Sequence, residues 1–247
     1  MQTHGFILQA SYRLASEPGG RRIPVIELFG RLESGETFLV RDTRQRPHFY
    51  IRSADAARAH ALGAAVAETN RRSFDGALVS RVEVAIPADV PGVRERLAGA
   101  GIECLEADVR FAARYLIERG IKGGCHIEGE ALRGSGVDWV FENPELSPAS
   151  VQIEPRVLSF DIETDRNAQR LLAISLYGTG VDEVLIVDGS GRALPEQAFA
   201  FADERAALEA FCARVAEFDP DVLTGWNLID FDLSVLQRIA ARVRHPF

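Results

Sequence analysis

A chain of 247 residues with net charge −8, 47% hydrophobic and 26% charged residues has the make-up of a soluble globular protein of one large domain or two smaller ones. The acidic balance excludes a generic basic nucleic-acid binder, but leaves room for an enzyme whose metal site itself supplies carboxylates. Cys104, Cys125 and Cys212 form no CxxC spacing, which excludes a disulfide scaffold or a zinc ribbon and predicts buried, reduced thiols.

Residues 5 to about 85 read as β-rich. Gly5-Phe6-Ile7-Leu8 and Ile23 to Phe29 are short apolar runs, and Glu17-Pro18-Gly19-Gly20 and Glu33-Ser34-Gly35 supply turns. Arg46 to Ile51 is a further strand. The Ala-rich stretch Ala54 to Thr69 predicts a helix. Val82, Val84 and Ile86 share one face of a strand over Val79 to Ile86. Pro91 to Ala100 and Ala112 to Arg119 read as helices stopped by Gly101 and Gly120. Asn143 to Ser150 is rich in Pro and Ser and without periodicity, so it marks a boundary between domains 1–150 and 151–247.

The second domain has an α/β texture. Strands are expected at Val157–Glu163, Leu171–Tyr177, Glu183–Val187 and Val222–Trp226. Leu208, Phe211, Cys212, Val215 and Phe218 recur at helical spacing within Asp203 to Phe218. Asp203 caps that helix and Pro220 ends it. A last helix from Phe231 to Val243 turns Val235, Leu236, Ile239 and Val243 inward, and Leu223 and Trp226 read as core. Such a succession predicts a mixed sheet flanked by helices. No signal peptide and no apolar stretch of membrane-spanning length occur, so the expectation is a cytoplasmic protein with no membrane partner.

Two segments carry chemistry. On a strand over Val157-Leu158-Ser159-Phe160-Asp161-Ile162-Glu163-Thr164, side chains two apart share a face. Asp161 and Glu163 then stand side by side, opposite Leu158, Phe160 and Ile162. Two such charges repel unless a divalent cation joins them, and hard oxygen ligands suit Mg²⁺ or Mn²⁺. A solvated edge strand explains the same pair. In Gly225-Trp226-Asn227-Leu228-Ile229-Asp230-Phe231-Asp232, which leaves a strand and opens a helix, an Asp is explained by the helix dipole alone. A second acidic cluster in the same chain favours convergence instead: three carboxylates would hold two metal ions about 3.5–4 Å apart for in-line attack on a phosphodiester.

Ser159-Phe160-Asp161-Ile162-Glu163-Thr164 resembles the first exonuclease motif of family B DNA polymerases, and Asn227-Leu228-Ile229-Asp230-Phe231-Asp232 resembles their second, Asn-x3-Phe-Asp. The N-terminal part agrees. Arg46-Pro47-His48-Phe49-Tyr50-Ile51 is similar to an early strand of the family. Leu105 to Phe111 followed by Arg114-Tyr115-Leu116-Ile117 is similar to its Glu-Ala-Asp-(Ile/Val) segment, and Gly5 to Leu8 points to the bacterial members. The resemblance covers nearly the whole chain. It implies an α+β or α/β protein: a β-rich N-terminal domain followed by a truncated ribonuclease H-like exonuclease domain. It further implies a DNA-directed DNA polymerase of replication and repair, with a two-metal 3′–5′ proofreading site in a bacterial cytoplasm at the nucleoid. By the same resemblance Asp161 bridges both metals, Glu163 binds one and orients the attacking water, and Asp232 supports the other. Thr164, Asn227 and Phe231 would lie at the single-stranded 3′ end. Implied partners are primer-template DNA, and deoxynucleotides and a sliding clamp through other parts of such a polymerase.

The chain departs from the family pattern in two ways. No Tyr follows Tyr177, so the third motif, Tyr-x3-Asp, is missing, and so are the polymerase motifs Asp-x2-Ser-Leu-Tyr-Pro and Tyr-Gly-Asp-Thr-Asp. The expectation is an N-terminal fragment of a longer polymerase, inactive on its own. The competing reading is a DNA-binding accessory module with an inactive nuclease-like domain. His126-Ile127-Glu128-Gly129-Glu130 reads as a polar strand and turn, and Gly123-Gly124 and Gly189-Ser190-Gly191 as turns without a P-loop Lys.

Overall fold

Turn residues punctuate the N-terminal region into paired strands. In the computed structural model, which describes residues 1–247, the first segments are β1 (Gln2–Ser16), β2 (Arg22–Leu32), β3 (Thr37–Asp42) and β4 (His48–Arg52). Then come α1 (Ala56–Ala61), β5 (Ala65–Arg72), β6 (Leu78–Glu83), α2 (Val90–Gly99), β7 (Cys104–Leu105) and α3 (Phe111–Glu118). The region closes with β8 (Gly124–Glu128), β9 (Ala131–Arg133), β10 (Trp139–Glu142) and β11 (Glu145–Pro148). Seven of these strands form one sheet in the order β11-β8-β1-β2-β3-β10-β9, antiparallel except where β10 runs parallel to β3.

Ile26, Leu28, Phe38, Val40, Tyr115 and Phe141 are the centre of its core. Gly30 is required there, since a Cβ would stand 2.7 Å from the Phe38 ring and collide with the Phe6 carbonyl. The buried Tyr115 hydroxyl donates to the buried Asp42 carboxylate at 2.7 Å, and Arg44 donates to the same group at 2.8 Å. Burial opposes ionisation of Asp42, and these donors more than offset it, holding its pKa below the ordinary value.

Inserted between β3 and α3 is a strand-helix-strand-strand-helix-strand unit with sheet order β5-β6-β4-β7, the ferredoxin-like arrangement. α1 and α2 share a core with one face of that sheet, through Ala59, Leu97, Phe49, Ile51 and Val82.

The helix expected over Ala54 to Thr69 is shorter than its composition suggested. It stops at Ala61, Gly63 takes φ +79°, and Ala65 onward is strand β5 paired with β6. Alanine's helix preference is a weak force here, and the pairing with β6 overrides it. Residues 145–148, expected to be linker, are edge strand β11 bound to β8. With Pro148 at its end the strand occupies an edge of the sheet, a position that tolerates proline. The compact units accordingly divide as Met1–Ile153 and Glu154–Phe247.

The second unit contains β12 (Val157–Thr164), β13 (Leu171–Gly178), β14 (Val181–Val187), β15 (Ala198–Phe201), α4 (Glu204–Phe218), β16 (Val222–Thr224), a π-helical turn Leu228–Leu233 and α5 (Ser234–Val243). The sheet runs β15-β14-β13-β12-β16, with β15 parallel to β14 and β16 parallel to β12. β15 carried no alternation that predicted it. Asp203 caps α4, its carboxylate accepting from the Ala206 N–H at 2.9 Å, and Asp219 ends it in the left-handed region at φ 49°, before Pro220. Leu158, Phe160, Ile162, Ile174, Leu176 and Leu185 meet Leu208, Phe211, Leu236 and Ile239 in one core. The fold is mixed α+β, as expected: a β-rich N-terminal part followed by a helix-flanked mixed sheet. No helix is long and apolar enough to cross a membrane.

Candidate active site

The alternation along β12 sorts its side chains by face. Leu158, Phe160 and Ile162 are buried, while Asp161 and Glu163 are exposed on the other side. Asp161 faces Ser175 of β13, and Glu163 faces Ala173, so neither meets a basic cross-strand neighbour. On the far side β16 pairs with β12 only through Ser159. Past that point β16 gives way to Gly225, whose missing side chain is a necessity, because a Cβ would collide with the Phe160 carbonyl. The chain then turns through Asn227, in the left-handed region at φ 57°, into the π-helical turn.

That turn sets the position of Asp232. A π turn inserts an extra residue into a helix and rotates the side chains after it. The last helix therefore does not begin cleanly at Phe231: residues 228–233 are π-helical and regular α-helix starts at Ser234. Asp232 is only 1% exposed, and its Oδ2 has no hydrogen-bond partner. Burial and the charge of Asp161 push its carboxyl pKa up, partly opposed by the backbone N–H groups of Ile162 and of Asp232 itself. The helix-dipole explanation thus fails for Asp232, which sits inside the turn against β12. Asp230 is the acidic residue of the first turn and is exposed.

The structure therefore brings Asp161 and Asp232 together from segments that are distant in sequence, with Glu163 on the same face as Asp161. It does not draw three acidic groups into a ready-made metal cluster. An unpaired, buried carboxylate oxygen beside a second carboxylate is nonetheless what a hard divalent cation would satisfy.

The other expected site residues have different settings. The Thr164 hydroxyl donates to the Asp165 carbonyl at 3.1 Å, the arrangement of a turn residue. Asn227 is exposed and makes no capping bond, and Phe231 is 39% exposed beside Asp232. Leu223 and Trp226, expected in the core, are exposed, Trp226 at 91%. The three-residue β16 lies at the edge of the sheet, and neither Leu223 nor Trp226 joins the core of this unit. A surface concavity of about 370 Å³ opens beside them, lined by Leu223, Asn227, Leu228 and Asp230.

Comparison with known proteins gives a consistent result. The model of the exonuclease domain of DNA polymerase family B matches residues 102–246. DNA polymerase II of Escherichia coli (strain K12) is 36% identical over 156 residues, covering 62% of this chain and 19% of that protein. A DNA polymerase of Archaeoglobus fulgidus is 27% identical over 268 aligned positions, covering 99% of this chain and 31% of that protein. Among solved structures, the family B DNA polymerase of the hyperthermophilic archaeon Pyrobaculum calidifontis superposes with a TM-score of 0.76 at 26% identity. That match covers 98% of this chain and 33% of the other. The chain thus spans between a fifth and a third of the length of these relatives.

Proposed function

The chain belongs to DNA polymerase family B through its exonuclease domain, and from this we propose that it supplies the first two motifs of a proofreading 3′–5′ exonuclease in a DNA-directed DNA polymerase. The observation that carries the proposal is the partnerless Oδ2 of buried Asp232 facing the charge of Asp161. Asp161, Glu163 and Asp232 would hold Mg²⁺ or Mn²⁺. Two such ions, when bound, lower the pKa of a water and clamp the attacking and leaving oxygens of a phosphodiester.

The chain's own residues do the rest. Asp161 and Asp232 place negative charge where a cation is needed. Glu163, exposed two residues along the same strand face, would help to hold one cation and orient the attacking water. Phe231 offers an aromatic edge next to Asp232 for the last base, and Asn227 an exposed amide at the start of the turn. Deoxynucleotides, the template duplex and a clamp would be handled by regions corresponding to the remainder of the longer relatives.

Residues 1–247 contain no Tyr-x3-Asp after the second motif. We propose that this stretch alone trims DNA little or not at all, because one metal lacks a ligand and the water lacks an orienting hydroxyl. Calorimetric titration with Mn²⁺ tests the site, with Asp161→Ala as control. Binding that the substitution removes supports the metal reading, whereas absence of binding favours a DNA-binding module with an inactive nuclease-like domain. A parallel 3′-end trimming assay tests the inactivity. Robust Mg²⁺-dependent trimming abolished by Asp161→Ala would overturn it.

A further inference from the structure

The large sheet of the first unit gives His126 of β8 a partner from the other end of that unit. β1 and β8 are antiparallel, and His4 lies directly opposite His126. Backbone hydrogen bonds join Met1 to Gly129 and Ile7 to Gly123, so the bonded pairs are the odd-numbered residues of β1. His4 and His126 are therefore a pair without mutual backbone bonds. In such pairs the Cα atoms come to about 4.5 Å and the facing side chains stand closest. The two ring centres are 5.1 Å apart, with the rings tilted by 55°. Cys125 and Ile127 turn into the core, so His126 and Glu128 turn to the opposite face of β8.

Glu33, in the turn between β2 and β3, stands beside this pair. Its N–H donates to the His4 carbonyl at 3.1 Å, and its Oε2 lies 3.9 Å from His4 Nδ1, too far for a hydrogen bond. The His4 and Glu33 side chains are about half exposed, and no hydrogen bond within the chain engages either imidazole. One pair along, Gln2 donates to Glu128 at 2.9 Å, and Glu128 adds negative charge to the same face. A tetrahedral zinc ion with Zn–N of about 2.0–2.1 Å sets two imidazole centres roughly 5 Å apart and neighbouring ligand atoms about 3.3 Å apart. The histidine pair already has the first spacing. The three groups do not converge on one point as they stand, and rotation of the exposed Glu33 side chain supplies the remaining approach. Imidazole nitrogen suits zinc, whereas Mg²⁺ and Mn²⁺ favour oxygen. We propose that His4, His126 and Glu33 bind one Zn²⁺, with water in the fourth position, and that the ion staples β1 to β8 and to the turn after β2. The proposal rests on residues of the first unit alone and does not depend on the nuclease reading.

The test is a titration of the full chain with Zn²⁺, followed by NMR of the imidazole signals of its five histidines. Those of His4 and His126 are expected to shift with one equivalent, while those of His48, His60 and His245 stay in place. Mg²⁺ at the same concentration should move none of them. Calorimetry uses the full chain carrying Asp161→Asn and Asp232→Asn, so that the carboxylates of the second unit do not take up the ion. Failure here and failure at the nuclease site are then distinguishable. One zinc site is expected, weakened about a hundredfold in His4→Ala and in His126→Ala and about tenfold in Glu33→Gln; loss of even an outer-shell partner costs about 10–100-fold. The three side chains lie outside the hydrophobic core, so these variants keep the fold. Zn²⁺ should also slow amide exchange along β1 in wild type and not in His126→Ala. Zinc affinity unchanged in His126→Ala, His4 and His126 signals that do not move, or the same shifts with Mg²⁺ would each overturn the proposal.

Discussion

Asp232→Asn is the substitution that tests the site most directly. The replacement is isosteric. It keeps an oxygen for the Ile162 N–H and sets an N–H₂ group where the partnerless Oδ2 now faces the charge of Asp161. An unsatisfied buried acceptor costs about 1–3 kcal/mol, more when charged. Part of that cost is already offset by the two backbone donors, so a net gain of about 1–2 kcal/mol is expected without metal. For a domain of roughly 60–100 residues each kcal/mol raises Tm by about 4–8 °C. In wild type, a cation at a hundred times its Kd adds about 2.7 kcal/mol, and the variant loses this response. The order of stability should therefore invert: the variant melts higher in EDTA, and the wild type gains in Mg²⁺. The pH dependence has a definite sign. The folded pKa of Asp232 is raised above the unfolded value of 3.8, so the stability linked to it is complete below that value and is lost as pH rises through the folded pKa. The advantage of the variant must then shrink on acidification. A variant that melts below wild type in EDTA near neutral pH would refute the reasoning.

Gly225→Ala drives a methyl group into the Phe160 carbonyl. Overpacking of this kind costs about 1–3 kcal/mol, to be read as a lower urea midpoint, and the displaced turn should weaken the Mn²⁺ response. Glu118 is half-buried, which raises its pKa, but the bond from His48 at 2.8 Å and that from Gln45 at 3.0 Å outweigh this and hold it at about 2. Its contribution is present above the unfolded value of 4.5 and lost as pH falls through about 2. Urea midpoints followed against pH should fall less steeply across that window in Glu118→Gln, which costs about 1–3 kcal/mol near neutrality. An unaltered slope would show that Glu118 is not the titrating group.

The sheet strands of the second unit were legible because alternation along β12 and the helical spacing in α4 are imposed by burial itself. Leu158, Phe160 and Ile162 face inward for the reason that Asp161 and Glu163 face out. The acidic residues of the site were visible for the same reason. The π-helical turn was not, because nothing in Leu228–Leu233 marks an inserted residue. Periodicity placed Asp232 at the start of a helix, and tertiary packing placed it against β12. Trp226 was misread because an aromatic residue next to an apolar strand is ordinarily core, and only the edge position of β16 exposes it. Short strands such as β7, β9 and β15 carry too few residues to show a period of two. The helix over Ala54 to Thr69 failed where a weak intrinsic preference met a hairpin partner, β6, just beyond it in the chain.

The pairing of β1 with β8 bears on how the molecule is made. Gln2 faces Glu128, and the Met1 amino group donates to the Gly129 carbonyl at 2.7 Å, so strand β1 is held by a strand that comes late in its unit. β3 likewise waits for β10. At translation rates of about 5–20 residues per second, both flanks of the early hairpin stay open for seconds, while the insertion from β4 to β7 closes using only its own residues. The nascent chain should therefore acquire its small inserted sheet before the large one that surrounds it, and a chaperone bound early would find β1 and β3 as its exposed edges.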